Sequence, residues 1–171
     1  MYRIVTVCTG NICRSPMAEI MLNRAFEEAG LADDVLVDSA GTTGWEAGNP
    51  IDERAAAKLT ELGLVSDTHR ARKFDPEWYS ERNLILALDV DHYEDLRLEA
   101  PDAESRSRVR MLREFDPAAA GTPVSELGIY DPWYGDQADF EATWRMVNDA
   151  VPGIVQYVLE ELARATPPAE C

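Results

Sequence analysis

A chain of 171 residues with 46% hydrophobic content can bury one sizeable core, so a single domain over residues 1–165 is expected, with 166–171 of the closing ARATPPAEC as a disordered tail. The formal net charge of -16 argues against nucleic acid or an anionic membrane as partner, because both would be repelled by the whole surface. No apolar run nears the roughly 18 to 20 residues of a membrane span, MYRIVTVCTG lacks a signal-peptide pattern, and cysteines at 8, 13 and 171 form no secreted disulfide framework, so a soluble cytoplasmic monomer with free thiols is expected.

Residues 2–8, YRIVTVC, read as a short buried strand rich in β-branched side chains. The spacing predicts a helix from Ser15 to Ala29, with Ser15 as N-cap, Pro16 at the first helical position and Gly30 past the end. VLVDSAG at 35–41 is a second strand. Asn49-Pro50 is expected to open a helix with Ile51, Ala55, Leu59 and Leu62 on its apolar face and Gly63 as its stop. NLILALD at 83–89 is the most apolar strand and therefore central, and a short helix follows near 90–98. VRMLREF at 109–115 reads as an edge strand, blunted by the charges of the basic run RSRVRMLR. From 136 to 164 a helical pattern carries Phe140, Trp144, Val147, Ile154, Val158 and Leu162, and Pro152-Gly153 is expected to kink or split it. Strands alternating with helices predict an α/β fold, a parallel sheet covered on both faces that takes ligands at the carboxyl ends of its strands.

That end of the first strand carries CTGNICRS, residues 8–15. A cysteine and an arginine six positions apart are weak evidence by spacing alone; position strengthens it, because Cys8 ends a strand and the loop feeds a helix start. Such a loop can curl until the N–H groups of Thr9, Gly10, Asn11, Ile12, Cys13 and Arg14 converge on one point, joined by the free N–H groups of the helix's first turn. Gly10 and Asn11 tolerate the positive φ that the curl requires. Arg14 adds a planar fork matched to two phosphate oxygens. The result is a dianion cradle with sulfur at its base, in a field that favours the thiolate of Cys8. Ser15 reads either as a plain N-cap or as a hydroxyl bonded to that sulfur. Cys13 reads either as core filler or as a redox partner that traps oxidised Cys8 in a reversible disulfide.

Phosphoryl transfer to a thiolate expels an oxygen, which calls for a general acid. Three Asp-Pro dipeptides offer one: Asp75-Pro76, Asp116-Pro117 and Asp131-Pro132. Only the last continues with two aromatics and a glycine, in DPWYG, where Trp133 and Tyr134 can wall a slot for a flat ring. Asp131 is the expected acid, and the other two pairs read as caps or turns.

With CTGNICRSPMAE at 8–19, DSAGTTGW at 38–45, HRAR at 69–72 and DPWYG at 131–135, the chain resembles the low-molecular-weight protein tyrosine phosphatases over nearly its whole length. The resemblance implies a four-stranded parallel sheet with a phosphate-binding loop after strand 1, and hydrolysis of phosphotyrosine in proteins through a cysteinyl-phosphate intermediate without metal or other cofactor. It makes Cys8 the nucleophile, Arg14 the phosphate clamp, and Asp131 first acid and then base. It also implies that Asn11, Ser15 and His69 brace the loop, and that Trp45 and Glu46 stand at the pocket rim. From the residues alone, His69 reads as an ordinary polar loop residue, His92 as surface and Cys171 as an incidental terminal thiol. Two alternatives stand beside this reading. One is an arginine phosphatase of the same fold, disfavoured by Ile12 with Trp133 and Tyr134; the other is a phosphoprotein-binding or redox-sensing module without turnover, disfavoured by the pairing of Cys8 with Asp131.

Overall fold

The computed structural model describes residues 1–165. The expected tail 166–171, and Cys171 with it, lie outside the described residues. Four strands, β1 (Tyr2–Cys8), β2 (Val35–Gly41), β3 (Leu84–Ala87) and β4 (Val109–Met111), form one sheet in the order β2-β1-β3-β4, every pair parallel. Six helices connect and cover it: α1 (Arg14–Glu28), α2 (Glu53–Glu61), α3 (Trp78–Glu81), α4 (Val90–Glu99), α5 (Ala103–Ser107) and α6 (Gln137–Ala165).

The strand period of two sorts apolar side chains onto two faces. Ile4, Leu84 and Leu86 point into a core with Leu22 and Phe26 of α1, Leu59 of α2 and Phe140 and Ile154 of α6. Val5, Val7, Ile85, Ala87 and Val109 point the other way, against Tyr79 of α3 and Leu96 of α4. The sheet is therefore a middle layer, and the chain leaves β1 for one neighbour on each side of it. The crevice above the carboxyl ends of β1 and β3 is where such a sheet opens to ligands.

Local chemistry moves several boundaries. Helix α1 begins at Arg14 with Cys13 in the N-cap position, so Ser15 is not the cap. Its end is as expected, with Gly30 at φ +74 beyond Ala29. Helix α2 begins at Glu53 because Asp52, not Asn49, caps it, its carboxylate accepting the Arg54 N–H at 2.9 Å. Strand β3 stops at Ala87 because Asp89 caps α4 through the Val90 N–H. The expected strand 109–115 is strand only to Met111, and Leu112–Phe115 winds into a 3-10 turn held by Glu114, which accepts from Met111 N at 2.8 Å.

Helix α6 runs unbroken through Pro152, so of the expected kink or split the split does not occur, and it extends to Ala165, up to the start of the expected tail. Burial of Val147, Ala150, Ile154 and Val158 along one side outweighs the hydrogen bond that a proline removes, a cost of about 3 kcal/mol. Gly153 has a separate reason: a Cβ there would stand 1.9 Å from the Phe115 carbonyl oxygen. Gly153→Ala is expected to lower the unfolding free energy by about 1 to 3 kcal/mol through overpacking, although alanine otherwise favours a helix by about 1 kcal/mol. Urea midpoints of the two proteins check this, and an unchanged or higher midpoint for the variant would contradict it.

Candidate active site

The loop between β1 and α1 is organised by Asn11, the one described non-glycine residue with positive φ, at 59°. Its fully buried side chain donates to Ser15 Oγ (2.9 Å) and Ser39 Oγ (2.8 Å) and accepts from Arg72 N (2.9 Å). Those three bonds hold the residue in a conformation that costs most side chains about 1 to 2 kcal/mol. Gly10 has no positive φ; a Cβ there would meet Glu46 Cγ at 3.1 Å, so close approach is its constraint.

With the chain turned this way, the loop carbonyls face outward into the frame. Cys8 O accepts from Thr42 N (2.8 Å), Thr9 O from Thr43 N (3.1 Å), and Ile12 O from Asp52 N (2.8 Å). Asn11 O meets His69 Nε2 at 2.8 Å. Among the described residues no acceptor meets the N–H groups of Thr9 to Cys13. Backbone donors seldom go unpaired when buried, so this arrangement is suited to an anion. Gly41, at the end of β2, lets the frame come this close: a Cβ there would lie 2.6 Å from Thr9 O.

Cys8 sits at the strand end with its sulfur 3.0 Å from Ser15 Oγ. Asn11 donates to that oxygen, which leaves the serine proton for the Cys8 sulfur or for the Ala40 carbonyl oxygen at 3.3 Å, and the hydroxyl caps no helix end. Cys13 is buried, and burial, followed by the charges of Asp52, the Cys8 sulfur and Asp131, pushes its thiol well above the ordinary range. Arg14 is buried, with Nη2 donating to Asp131 at 2.8 Å, and Nη1 to Ile129 O at 3.0 Å and Asp89 at 3.4 Å. Its buried Nε has no hydrogen-bond partner among the described residues.

All three Asp-Pro aspartates cap turns: Asp75 accepts from Glu77 N, Asp116 from Ala118 N and Asp131 from Trp133 N. Only Asp131 also reaches Arg14. A cavity of about 180 Å³ is lined by Cys8, Thr9, Gly10, Ile12, Cys13, Arg14, Trp45, Glu46, Asp131, Trp133 and Tyr134. It thus gathers the loop, the expected acid and every expected pocket residue, while Asn11, Ser15 and His69 stand behind the loop. An apolar cavity of about 150 Å³ is known to take a benzene ring, so the volume suits one aryl group.

His69, besides its contact with Asn11 O, has Nδ1 at 3.8 Å from Glu19, which also accepts a short hydrogen bond from Ser39. Burial holds the His69 imidazole below its ordinary pKa, aided by Arg72 and Arg70 and opposed by the bond to Asn11. Burial raises Glu19 above its ordinary value.

His92 corrects the sequence reading. It is 5% exposed, and Nε2 lies 2.8 Å from Thr9 Oγ1 in the loop. The reading also passed over Asp89, Asp52 and Arg54. Ser39 and Arg72 fall inside the quoted DSAGTTGW and HRAR segments, which is the one signal that pointed to them.

Burial and the Arg14 charge lower the His92 pKa from 6.5 to about 4, against the opposing pull of Asp131 and Asp91. Between those values the unfolded chain binds a proton that the folded chain refuses, so stability falls as pH drops from about 6.5 to about 4, by on the order of 3 kcal/mol in total. Unfolding free energies at pH 7 and 4.5 should therefore fall roughly 2 kcal/mol further in wild type than in His92→Asn. Equal drops in the two proteins would show that His92 titrates normally.

The sequence model described as low molecular weight phosphotyrosine protein phosphatase matches residues 3–165. The chain is 44% identical to a low molecular weight protein-tyrosine-phosphatase of Streptomyces coelicolor over 161 residues, covering 94% of this chain and 96% of that one. It is 45% identical over 164 residues, 96% of each chain, to low molecular weight protein-tyrosine phosphatase A of Mycobacterium tuberculosis. Among solved structures, a protein tyrosine phosphatase from Entamoeba histolytica with Hepes in its active site superposes with a TM-score of 0.85 at 25% identity, covering 94% of this chain and 99% of that one. YfkJ from Bacillus subtilis superposes with a TM-score of 0.84 at 27% identity, covering 94% and 96%. Motif, fold and sequence agree over the same span, and the chain belongs to the low-molecular-weight protein tyrosine phosphatase family.

Proposed function

We propose that the protein hydrolyses phosphotyrosine in proteins, and small aryl phosphates, through a cysteinyl-phosphate intermediate. The observation that carries this reading is the convergence of three groups in one ring-sized cavity: the Cys8 sulfur under unpaired amides, the buried Arg14, and Asp131 at 2.8 Å from it. In this reading the phosphate dianion takes the N–H groups of residues 9–13 and the Arg14 guanidinium, displacing Asp131 from its ion pair. The freed Asp131 carboxylate takes up a proton from solvent; the Cys8 thiolate attacks phosphorus in line, the P–O bond to the aryl group breaks, and Asp131 gives that proton to the departing oxygen. Asp131, now a carboxylate, takes a proton from water as that water attacks phosphorus. The P–S bond breaks, and the products are inorganic phosphate and the restored thiolate.

Ile12, Trp133 and Tyr134 line the slot, which favours a phenyl ring over the guanidinium of an arginine phosphatase substrate. Glu46 at the rim disfavours acidic residues next to the phosphotyrosine. Cys8 and Cys13 are both free and line the same cavity, which supports a redox role for Cys13. Peroxide would oxidise Cys8 to the sulfenic acid and leave as water, and the Cys13 thiol would then form the disulfide with loss of a second water. Two free thiols fit a reducing compartment such as the cytoplasm, with the protein acting as a monomer.

Wild type should release phosphate from 4-nitrophenyl phosphate and from a phosphotyrosine peptide. Cys8→Ser should lower the rate by at least about 10⁴-fold while still binding the peptide. Asp131→Ala should slow the peptide reaction by about 10² to 10⁴-fold and the nitrophenyl reaction less, because a better leaving group needs less protonation. Peptide binding by wild type with no phosphate release would instead establish the binding-module alternative.

A further inference from the structure

The acid loop carries Asp131, yet little of its own structure ties it to the cavity. Its internal bonds are local: Asp131 accepts from Trp133 N, and Gly135 N donates to Pro132 O at 2.9 Å. Among the described residues, two side chains from elsewhere in the chain donate hydrogen bonds to 131–136. One is Arg14, which bonds the Asp131 carboxylate; the other is Arg54 of α2.

Arg54 Nη1 donates to Gly135 O at 2.9 Å and Nη2 to Trp133 O at 3.2 Å, so its fork holds the two carbonyls flanking Tyr134. The other edge of the guanidinium is aimed by Asp52, which accepts from Nε and from Nη2, each at 3.0 Å. Its plane rests 4.6 Å from the centroid of the Phe140 ring. Asp52 in turn donates its own N–H to Ile12 O at 2.8 Å. Burial of Asp52 pushes its carboxyl up, and the side-chain and backbone bonds of Arg54 outweigh that and hold it below the usual carboxylate range.

We propose that Asp52 and Arg54 form a strut from the phosphate loop to the acid loop, and that Arg54 is a positioning residue for the general acid. The inference rests on the assignment of Asp131 as that acid. In the free protein Arg14 holds Asp131 directly. When a phosphate takes over Arg14, that tether is lost, and Arg54 keeps the loop in register at the moment its carboxyl must meet the leaving oxygen. A lysine cannot do this, since its ammonium lacks the planar fork that spans Asp52 on one side and two carbonyls on the other.

The test uses kcat/KM, which reports phosphoryl transfer to the cysteine, for phenyl phosphate and for 4-nitrophenyl phosphate, whose phenol is far more acidic. Arg54→Met, which keeps the stem packing on Phe140, and Arg54→Lys should each lose about ten- to a hundred-fold on phenyl phosphate. On 4-nitrophenyl phosphate the loss should be under about threefold, because that oxygen departs with little help. In an Asp131→Ala background the Arg54 substitutions should add no further leaving-group dependence. Two results separate the possible failures. If Asp131→Ala itself shows no leaving-group dependence, the assignment of the acid is wrong. If Asp131→Ala shows it but both Arg54 variants lose the two substrates equally, or lose neither, the strut is wrong. Thermal melting of each variant identifies any that is unfolded at the assay temperature, and either Arg54 variant alone suffices for the comparison.

Discussion

The site depends on one backbone constraint: the loop after β1 must turn its carbonyls outward so that its amides turn inward. A buried amide without a partner costs about 1 to 3 kcal/mol, and several of them cannot be held together without compensation. Asn11 supplies the turn, at φ 59°, and the frame supplies the compensation by satisfying the carbonyls one at a time. Thr42 and Thr43 extend from β2, Asp52 precedes α2, and His69 and Arg72 come from the segment between α2 and α3. Each is far from the loop in sequence. The parallel sheet with β1 at its middle is what brings them within reach of a single seven-residue stretch.

A second constraint follows from burying Arg14. An unpaired guanidinium in this position would be prohibitively costly, so the ligand-free protein satisfies it with Asp131, Asp89 and the Ile129 carbonyl. In the proposed mechanism a phosphate dianion replaces charge with charge, and the exchange frees Asp131 to act as the acid. The protein's net charge of -16 works against any approaching dianion at long range. Recognition is therefore confined to the last few ångströms, where the amides and Arg14 act at close quarters and salt screens them little.

How much of this was legible in sequence follows the range of the interactions involved. The strand, the loop and the helix start lie within fifteen residues, and local chemistry was enough to place Cys8 and Arg14 on one loop and to offer Gly10 and Asn11 for its positive φ, which Asn11 takes. The turn at Asp131 was legible because proline and two aromatics mark it, and the structure brings its carboxylate to Arg14. Ser15 was ambiguous because a hydroxyl at a helix start has two possible partners, and only the position of the sulfur decides between them. His92, Asp89, Asp52 and Arg54 were not legible. Each acts through a contact made by folding: His92 with Thr9 across 83 positions, and Arg54 with Gly135 across 81. Nothing near them in the chain marks that partnership. The fourth strand was read too long because a local contact, Glu114 accepting from Met111 N, ends it, and the helix is not split at Pro152 because burial along α6 overrides local propensity.

The rim shows what the core of the site leaves undone. Trp45 is 82% exposed and Tyr134 87%, a large apolar area to leave in water on a protein whose other big side chains are mostly buried. With most of each side chain exposed, their positions follow chiefly from the backbone beneath them. For Trp45 that backbone continues from Thr43, which is bonded to the phosphate loop; for Tyr134 it is the pair of carbonyls gripped by Arg54. The aromatic walls are thus registered to the amide cradle through side-chain donors to main-chain carbonyls on both sides. The slot between them is positioned by the same contacts that place the Cys8 sulfur and the Asp131 carboxylate, so in the proposed mechanism fit of a ring and alignment of the reacting atoms are one geometric requirement rather than two.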